Sequence, residues 1–192
     1  FASFWAVRGG AGTAAPGHWE PGPGMKLFRA LRAALGELPL IAEDLGIVGE
    51  DVHELLRETG FPGMRVLQFG FDSPDSHHAP DKIPPHCVAY TGTHDNDTTR
   101  GWFEKLKGEE RRRVLQAVGG DERTAAADVV WGLIRLLYES AAERVVVPVQ
   151  DVLVLGSEAR MNIPSVPEGN WEFRLGEGAL TLELADRLRT LA

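Results

Sequence analysis

The chain has 192 residues, 43% of them hydrophobic and 25% charged, a balance that excludes wholesale disorder. Its formal charge of −8, from 28 acidic against 20 basic residues, offers no field for phosphate backbones or anionic lipid. Nucleic-acid and membrane partners are therefore not expected, and a neutral polar partner fits better. The longest apolar stretch, residues 145–155, is broken by Pro148, Gln150 and Asp151 and falls short of the ~20 residues that span a bilayer. The lone Cys87 sits among apolar neighbours and reads as a buried small hydrophobe, compatible with a reducing cytoplasm. The first methionine is Met25, and the residues before it lack the pattern of an export leader. The chain is expected to start inside a longer reading frame.

Residues 1–24 hold six Gly and three Pro, which predicts an ordered loop with Trp5 and Trp19 as anchors. Leu27, Phe28, Leu31 and Leu35 then recur at helical spacing until Gly36, predicting a helix from Met25. The run from Leu38 to Ala42 reads as a short strand ending in Glu43 and Asp44, and residues 51–58 as a helix. A second strand is predicted over 64–71, followed by a loop containing Pro, His77 and His78. A third, over 87–90, runs into Thr91-Gly-Thr-His-Asp95. Helical patterns cover 98–118 and 124–143, and 145–155 is the fourth strand candidate. A Gly- and Pro-rich loop over 156–171 precedes a closing helix marked by Leu180, Leu184, Leu188 and Leu191. Arg111, Arg112 and Arg113 read as a solvent-facing charge run.

Four strands alternating with helices imply a parallel β/α architecture, because parallel neighbours need a crossover. A full (β/α)8 TIM barrel takes ~250 residues, so four units make a compact open sheet or half a barrel. In either, functional groups gather at the C-terminal ends of strands. Glu43 and Asp44 follow one such end, and His94 and Asp95 another. The competing structural reading makes these acids helix caps, Glu43 or Asp44 for the following helix and Asp95 for the helix after Thr98. Carboxylates gathered on one rim can serve as general acid and charge stabiliser in glycoside chemistry, whose transition state resembles an oxocarbenium ion.

Three segments sharpen this reading: Ile41-Ala-Glu-Asp-Leu-Gly46; Gly60-Phe-Pro-Gly-Met64 with Val66-Leu-Gln-Phe69; and Thr91-Gly-Thr-His-Asp-Asn-Asp-Thr98. With Trp19-Glu-Pro-Gly-Pro-Gly24, Gln150-Asp-Val-Leu, Ala159-Arg-Met-Asn162 and Gly169-Asn-Trp171, they resemble the amylomaltase family, the 4-α-glucanotransferases of the α-amylase superfamily. The resemblance covers essentially the whole chain. It implies that residues 1–192 are one partial catalytic domain, the C-terminal half of a TIM barrel with four parallel strands and intervening helices. It also implies a cytoplasmic enzyme passing α-1,4-glucan segments between maltooligosaccharides, or starch- or glycogen-derived glucans, with retention. No metal or organic cofactor is expected. By motif match, Glu43 is the general acid and base, its pKa raised by partial burial. Asp95 matches the carboxylate that stabilises the transition state, and His94 a histidine that hydrogen-bonds substrate. Phe69 is the aromatic candidate for a sugar face, core packing being the alternative. Asn162 matches a position close to substrate, Asp44 is left structural, and Trp171 reads as a loop anchor.

The sequence also departs from the family pattern. The family's nucleophile is an aspartate in an Arg-x-Asp-His context, and no such segment occurs here. It is expected before Phe1, together with the N-terminal barrel half, so the chain alone is expected to be inactive. Val154 and Ser165 stand where the family has Gly, which bears on loop geometry. Two rival readings are a non-catalytic glucan-binding fragment and a metal-dependent hydrolase built on His77, His78, His86, His94, Asp95 and Asp97.

Overall fold

A computed structural model describes residues 1–46 and 48–192. The chain divides into two compact units, Phe1–Met64 and Arg65–Ala192.

The first unit opens with a hairpin where a loop was expected. β1 (Ser3–Ala6) pairs antiparallel with β2 (His18–Pro21), so that Trp5 stands opposite Trp19. Their rings meet edge to face at 5.4 Å, a favourable cross-strand pair. The two tryptophans are 42% and 66% exposed, so they hold the hairpin together without anchoring it in a core. Gly17 is required here because a Cβ would meet Trp5 Nε1 at 2.2 Å.

Helix α1 (Met25–Leu35) ends at Gly36, whose φ of 80° suits glycine. Helix α2 (Glu50–Thr59) closes on Gly60 in the left-handed conformation. Phe28 is the buried centre, in edge contact with Phe1 and Phe61 at 5.4 and 5.3 Å. Arg32 lies over the Phe61 ring and donates to the Thr59 carbonyl, joining α1 to the end of α2. The expected strand over 38–42 does not form. Pro39 has no N–H to offer a ladder, and the Ala42 N–H donates to the Pro62 carbonyl at 2.9 Å.

A three-stranded sheet has the order β3 (Gly63–Val66), β4 (Cys87–Tyr90), β5 (Arg144–Val146), with residues 65–66 of β3 in the second unit. β4 and β5 are parallel, with Ala89 opposite Val145. The structure is thus mixed α/β with parallel strands. The strand expected over 64–71 stops at Val66 and turns into a 3-10 helix, Leu67–Phe71. Gly70 permits this, since a Cβ there would strike the His78 carbonyl oxygen at 2.5 Å. The strand expected over 145–155 is likewise cut short by Pro148, which starts the short helix α6 (Val149–Val152).

The single helix expected over 98–118 is two, α3 (Thr99–Lys105) and α4 (Gly108–Ala117), broken where Gly108 takes a φ of 57°. Arg111 crosses the break, donating to the Phe103 carbonyl with its guanidinium over the Phe103 ring. Arg113 donates to the carbonyl of Phe71, so of the three consecutive arginines only Arg112 is a solvent-facing charge.

Helix α5 (Ala126–Tyr138) is buried on two sides. Val129, Leu133 and Leu137 join Leu67, Ala89, Phe103 and Val114 in one core, with Cys87 buried in the same cluster. Val130, Trp131 and Ile134 form a second core with Val152, against which Leu184 and Leu188 of the closing helix α7 (Leu182–Arg189) pack. Among the described residues no helix is long and apolar enough to cross a membrane.

Candidate functional site

The loop leaving β4 is fixed by its own side chains. Asn96 Oδ1 accepts hydrogen bonds from the Thr93 N–H and hydroxyl at 2.9 Å, and the Asp95 N–H donates to Thr93 Oγ1. Thr98 caps α3 by accepting from the Gly101 N–H, so Asp95 is not the cap and its carboxylate is left to other partners.

Those partners arrive from the loop after α6. Asn162 donates its side-chain N–H to Asp95 Oδ1 at 2.6 Å, and His94 Nε2 lies 3.4 Å from the same oxygen. Arg160 donates to the Asp95 carbonyl at 2.6 Å and to the Asn162 carbonyl at 2.8 Å, tying the two loops together through their backbones. The Asn162 N–H completes the link to the His94 carbonyl. Asp95 and His94 remain about half exposed, so a ligand can reach both. Three expected residues, His94, Asp95 and Asn162, are therefore brought together.

Trp171 belongs with them, although the sequence marks it as a loop anchor. Its ring lies 5.2 Å from that of His94 and is 55% exposed. Its φ of 65° is uncommon for a bulky residue, and its N–H is held by the Met161 carbonyl at 2.7 Å. The sequence signal was the Gly169-Asn-Trp171 motif, but a Trp in a loop carries no mark of exposure.

Phe69 sits in the 3-10 turn after β3, partly buried against His78. With Gln68, Asp95, Trp102 and Arg160 it lines an open cavity of about 690 Å³, which joins an aromatic edge to the carboxylate.

Asp151 was not singled out from sequence, yet it is the most buried carboxylate beside this loop, at 2% exposure. Its Oδ2 accepts the hydroxyls of Thr91 at 2.5 Å and Thr99 at 2.7 Å, and its Oδ1 accepts the Thr99 N–H at 2.7 Å. Burial pushes its pKa above the ordinary carboxylate value, with the bonds from Thr91 and Thr99 opposing the rise. Asp97 is the neighbouring partly buried acid, paired with Lys105 and accepting the Ser157 hydroxyl at 2.8 Å.

Glu43 lies in the first unit, on the wall of an apolar cavity of about 620 Å³ also lined by Phe28, Leu31, Leu55 and Phe61. It is exposed where partial burial was expected, because the segment bearing it runs as surface chain, with Leu40 and Ile41 themselves 40% and 49% exposed. Neither Glu43 nor Asp44 caps α2, whose N-terminal flank is Gly49. Asp44 has a structural role: its Oδ1 accepts the Met64 N–H at 2.6 Å at the start of β3.

His77 is exposed, the half-buried His78 accepts from the Val66 N–H, and His86 faces Glu143. Among the described residues no three His, Cys, Asp or Glu side chains converge as a ligand set.

A family model described as 4-alpha-glucanotransferase matches residues 1–180. The 4-alpha-glucanotransferase of Thermus thermophilus is 43% identical over 197 residues, covering 100% of this chain and 39% of its own length. The chloroplastic/amyloplastic 4-alpha-glucanotransferase of Arabidopsis thaliana is 42% identical, covering 100% and 33%. The structure of amylomaltase from Streptococcus agalactiae in complex with acarbose superposes with a TM-score of 0.92 at 35% identity, over 100% of this chain and 38% of that one. The chain thus spans well under half the length of these relatives.

Proposed function

We propose, for a chain that belongs to the 4-alpha-glucanotransferase family, that it supplies the acid/base and charge-stabilising part of a retaining transfer of α-1,4-glucan segments. In this reading the segment is the C-terminal half of a TIM barrel, working within a longer cytoplasmic protein on maltooligosaccharide donors and acceptors. The observation that carries it is the convergence of Asp95, His94 and Asn162 beyond the ends of β4 and β5, with Asn162 2.6 Å from the Asp95 carboxylate.

Glu43 acts first as the acid. It gives its proton to the glycosidic oxygen as the bond from C1 to that oxygen breaks, and the donor's non-reducing part passes to a nucleophilic carboxylate as a glycosyl ester. The acceptor's 4-hydroxyl then attacks C1 as the ester bond breaks and the nucleophilic carboxylate is released, and the hydroxyl's proton passes to Glu43. The nucleophile belongs to an Arg-x-Asp-His segment outside this sequence. Asp95 and His94 hold sugar hydroxyls, and the Asp95 charge stabilises the cationic transition state. A carboxylate flanked by one amide donor and one imidazole suits the 2- and 3-hydroxyls of a pyranose, which both donate and accept. Phe69 and Trp171 offer apolar ring area to the C–H side of sugars.

The test is maltotriose disproportionation. The full-length protein forms glucose and longer maltooligosaccharides, whereas the 192-residue chain alone forms none. Transfer by the isolated chain contradicts the division of labour proposed here, and absence of transfer in the full-length protein contradicts the function.

A further inference from the structure

Resting on that reading, we infer that Asp151 is a positioning residue for the site: its carboxylate staples together the two ends of the loop that carries His94 and Asp95. Thr91 follows directly on β4, and Thr99 is the first residue of α3. Both hydroxyls converge on one oxygen of Asp151, while the other oxygen holds the Thr99 backbone. The entrance and exit of the loop over 92–98 are thereby closed on one buried group from a different part of the chain.

The choice of residue follows from donor arithmetic. Two hydroxyls and one N–H point inward, and a carboxylate of this size presents two oxygens that between them accept all three. Gln68 backs the same point, donating through Nε2 to the Asp97 carbonyl at 2.9 Å. Closing a loop at both ends removes freedom that the loop would otherwise lose on binding a ligand. Asp95 is exposed to a ligand, whereas Asp151 is only 2% exposed. Asp151 therefore acts through Asp95 and His94.

The experiment measures acarbose affinity in the full-length protein, by calorimetry well below the unfolding midpoint, for Asp95→Ala, Asp151→Ala, Asp151→Asn and the Asp95/Asp151 double Ala variant. Asp151→Ala is expected to weaken acarbose at least tenfold. Asp151→Asn recovers most of that loss, because its amide can still accept the Thr99 N–H while the hydroxyls turn to accept. In the double variant the two losses do not add, since the staple works through the residue already removed. If Asp151→Ala does not fold, Thr91→Val removes one strap at constant shape, with an expected weakening of severalfold. Unchanged affinity in the folded Asp151 and Thr91 variants overturns the inference, as do fully additive losses, which mark a general loosening. Unchanged affinity on Asp95→Ala overturns the functional reading itself.

Discussion

Asn162 and Asp95, 67 positions apart in sequence, meet through a hydrogen bond of 2.6 Å from the amide N–H to the carboxylate Oδ1. The bond orients the acid, and the direction of donation makes it sensitive to charge. Asn162→Asp sets a second carboxylate against the first, and like charges this close resist joint ionisation. The expected outcome is a fall in kcat/KM of the full-length protein of roughly tenfold to a hundredfold, the size of a lost charge-assisted hydrogen bond of ~1.5–3 kcal/mol. Steady-state maltotriose kinetics check it.

Trp171 extends the binding surface beyond the carboxylate. Trp171→Ala is expected to raise the KM for maltooligosaccharides about threefold to tenfold with little change in kcat, matching ~0.5–1.5 kcal/mol for an aromatic contact. Trp171→Phe retains most of the affinity. Equal losses in the Phe and Ala variants would assign the residue to loop structure.

Ser165 and Val154 both take positive φ, 66° and 55°, a conformation that suits the glycine expected at these positions from the family pattern. A left-handed L-residue costs ~1–2 kcal/mol, offset in part by the ~0.5–1 kcal/mol that glycine loses in chain entropy. Ser165 is exposed, so Ser165→Gly is expected to raise stability by up to ~1 kcal/mol. Val154 is half-buried against the second core, and Val154→Gly forfeits that packing and gains little. Thermal midpoints of the two variants check the contrast.

The raised pKa of Asp151 sets a direction for stability against pH. The fold holds this proton more tightly than the unfolded chain does, so the group's contribution is fully present below the ordinary carboxylate pKa and declines as pH rises through the folded value. The unfolding midpoint of the full-length protein, compared with that of Asp151→Asn, is therefore expected to shift in favour of the variant as pH rises from below the ordinary carboxylate pKa, ~4, toward neutrality. A pH-independent difference contradicts the burial argument.

How much of this was legible in sequence depended on whether a local pattern decided the structure. α1 and β4 match the expected 25–35 and 87–90 because Gly36 and the run of buried apolar residues are local signals. The segment 64–71 looked like one strand because its apolar residues are nearly continuous, yet the turn at Leu67 is set by tertiary contacts of Gln68 and Gly70. The hairpin over 3–21 was hidden by its Gly and Pro content, since its pairing rests on Trp5 meeting Trp19. In the site, His94 and Asp95 were marked by their place after the strand over 87–90 and Asn162 by resemblance, while their contact is visible only in three dimensions. Asp151 stood in view as a break in an apolar run, but its burial and its two threonine partners are long-range facts.

The most direct measurement is maltotriose disproportionation by the full-length protein carrying Glu43→Gln, with acarbose binding measured alongside. Removing the acid and base is expected to slow transfer by a factor on the order of 10² to 10⁴ while acarbose still binds, since the amide keeps the shape and loses only the proton. Transfer within a few fold of the unmodified protein would contradict the assignment of Glu43, and with it the account of how this chain takes part in glucan transfer.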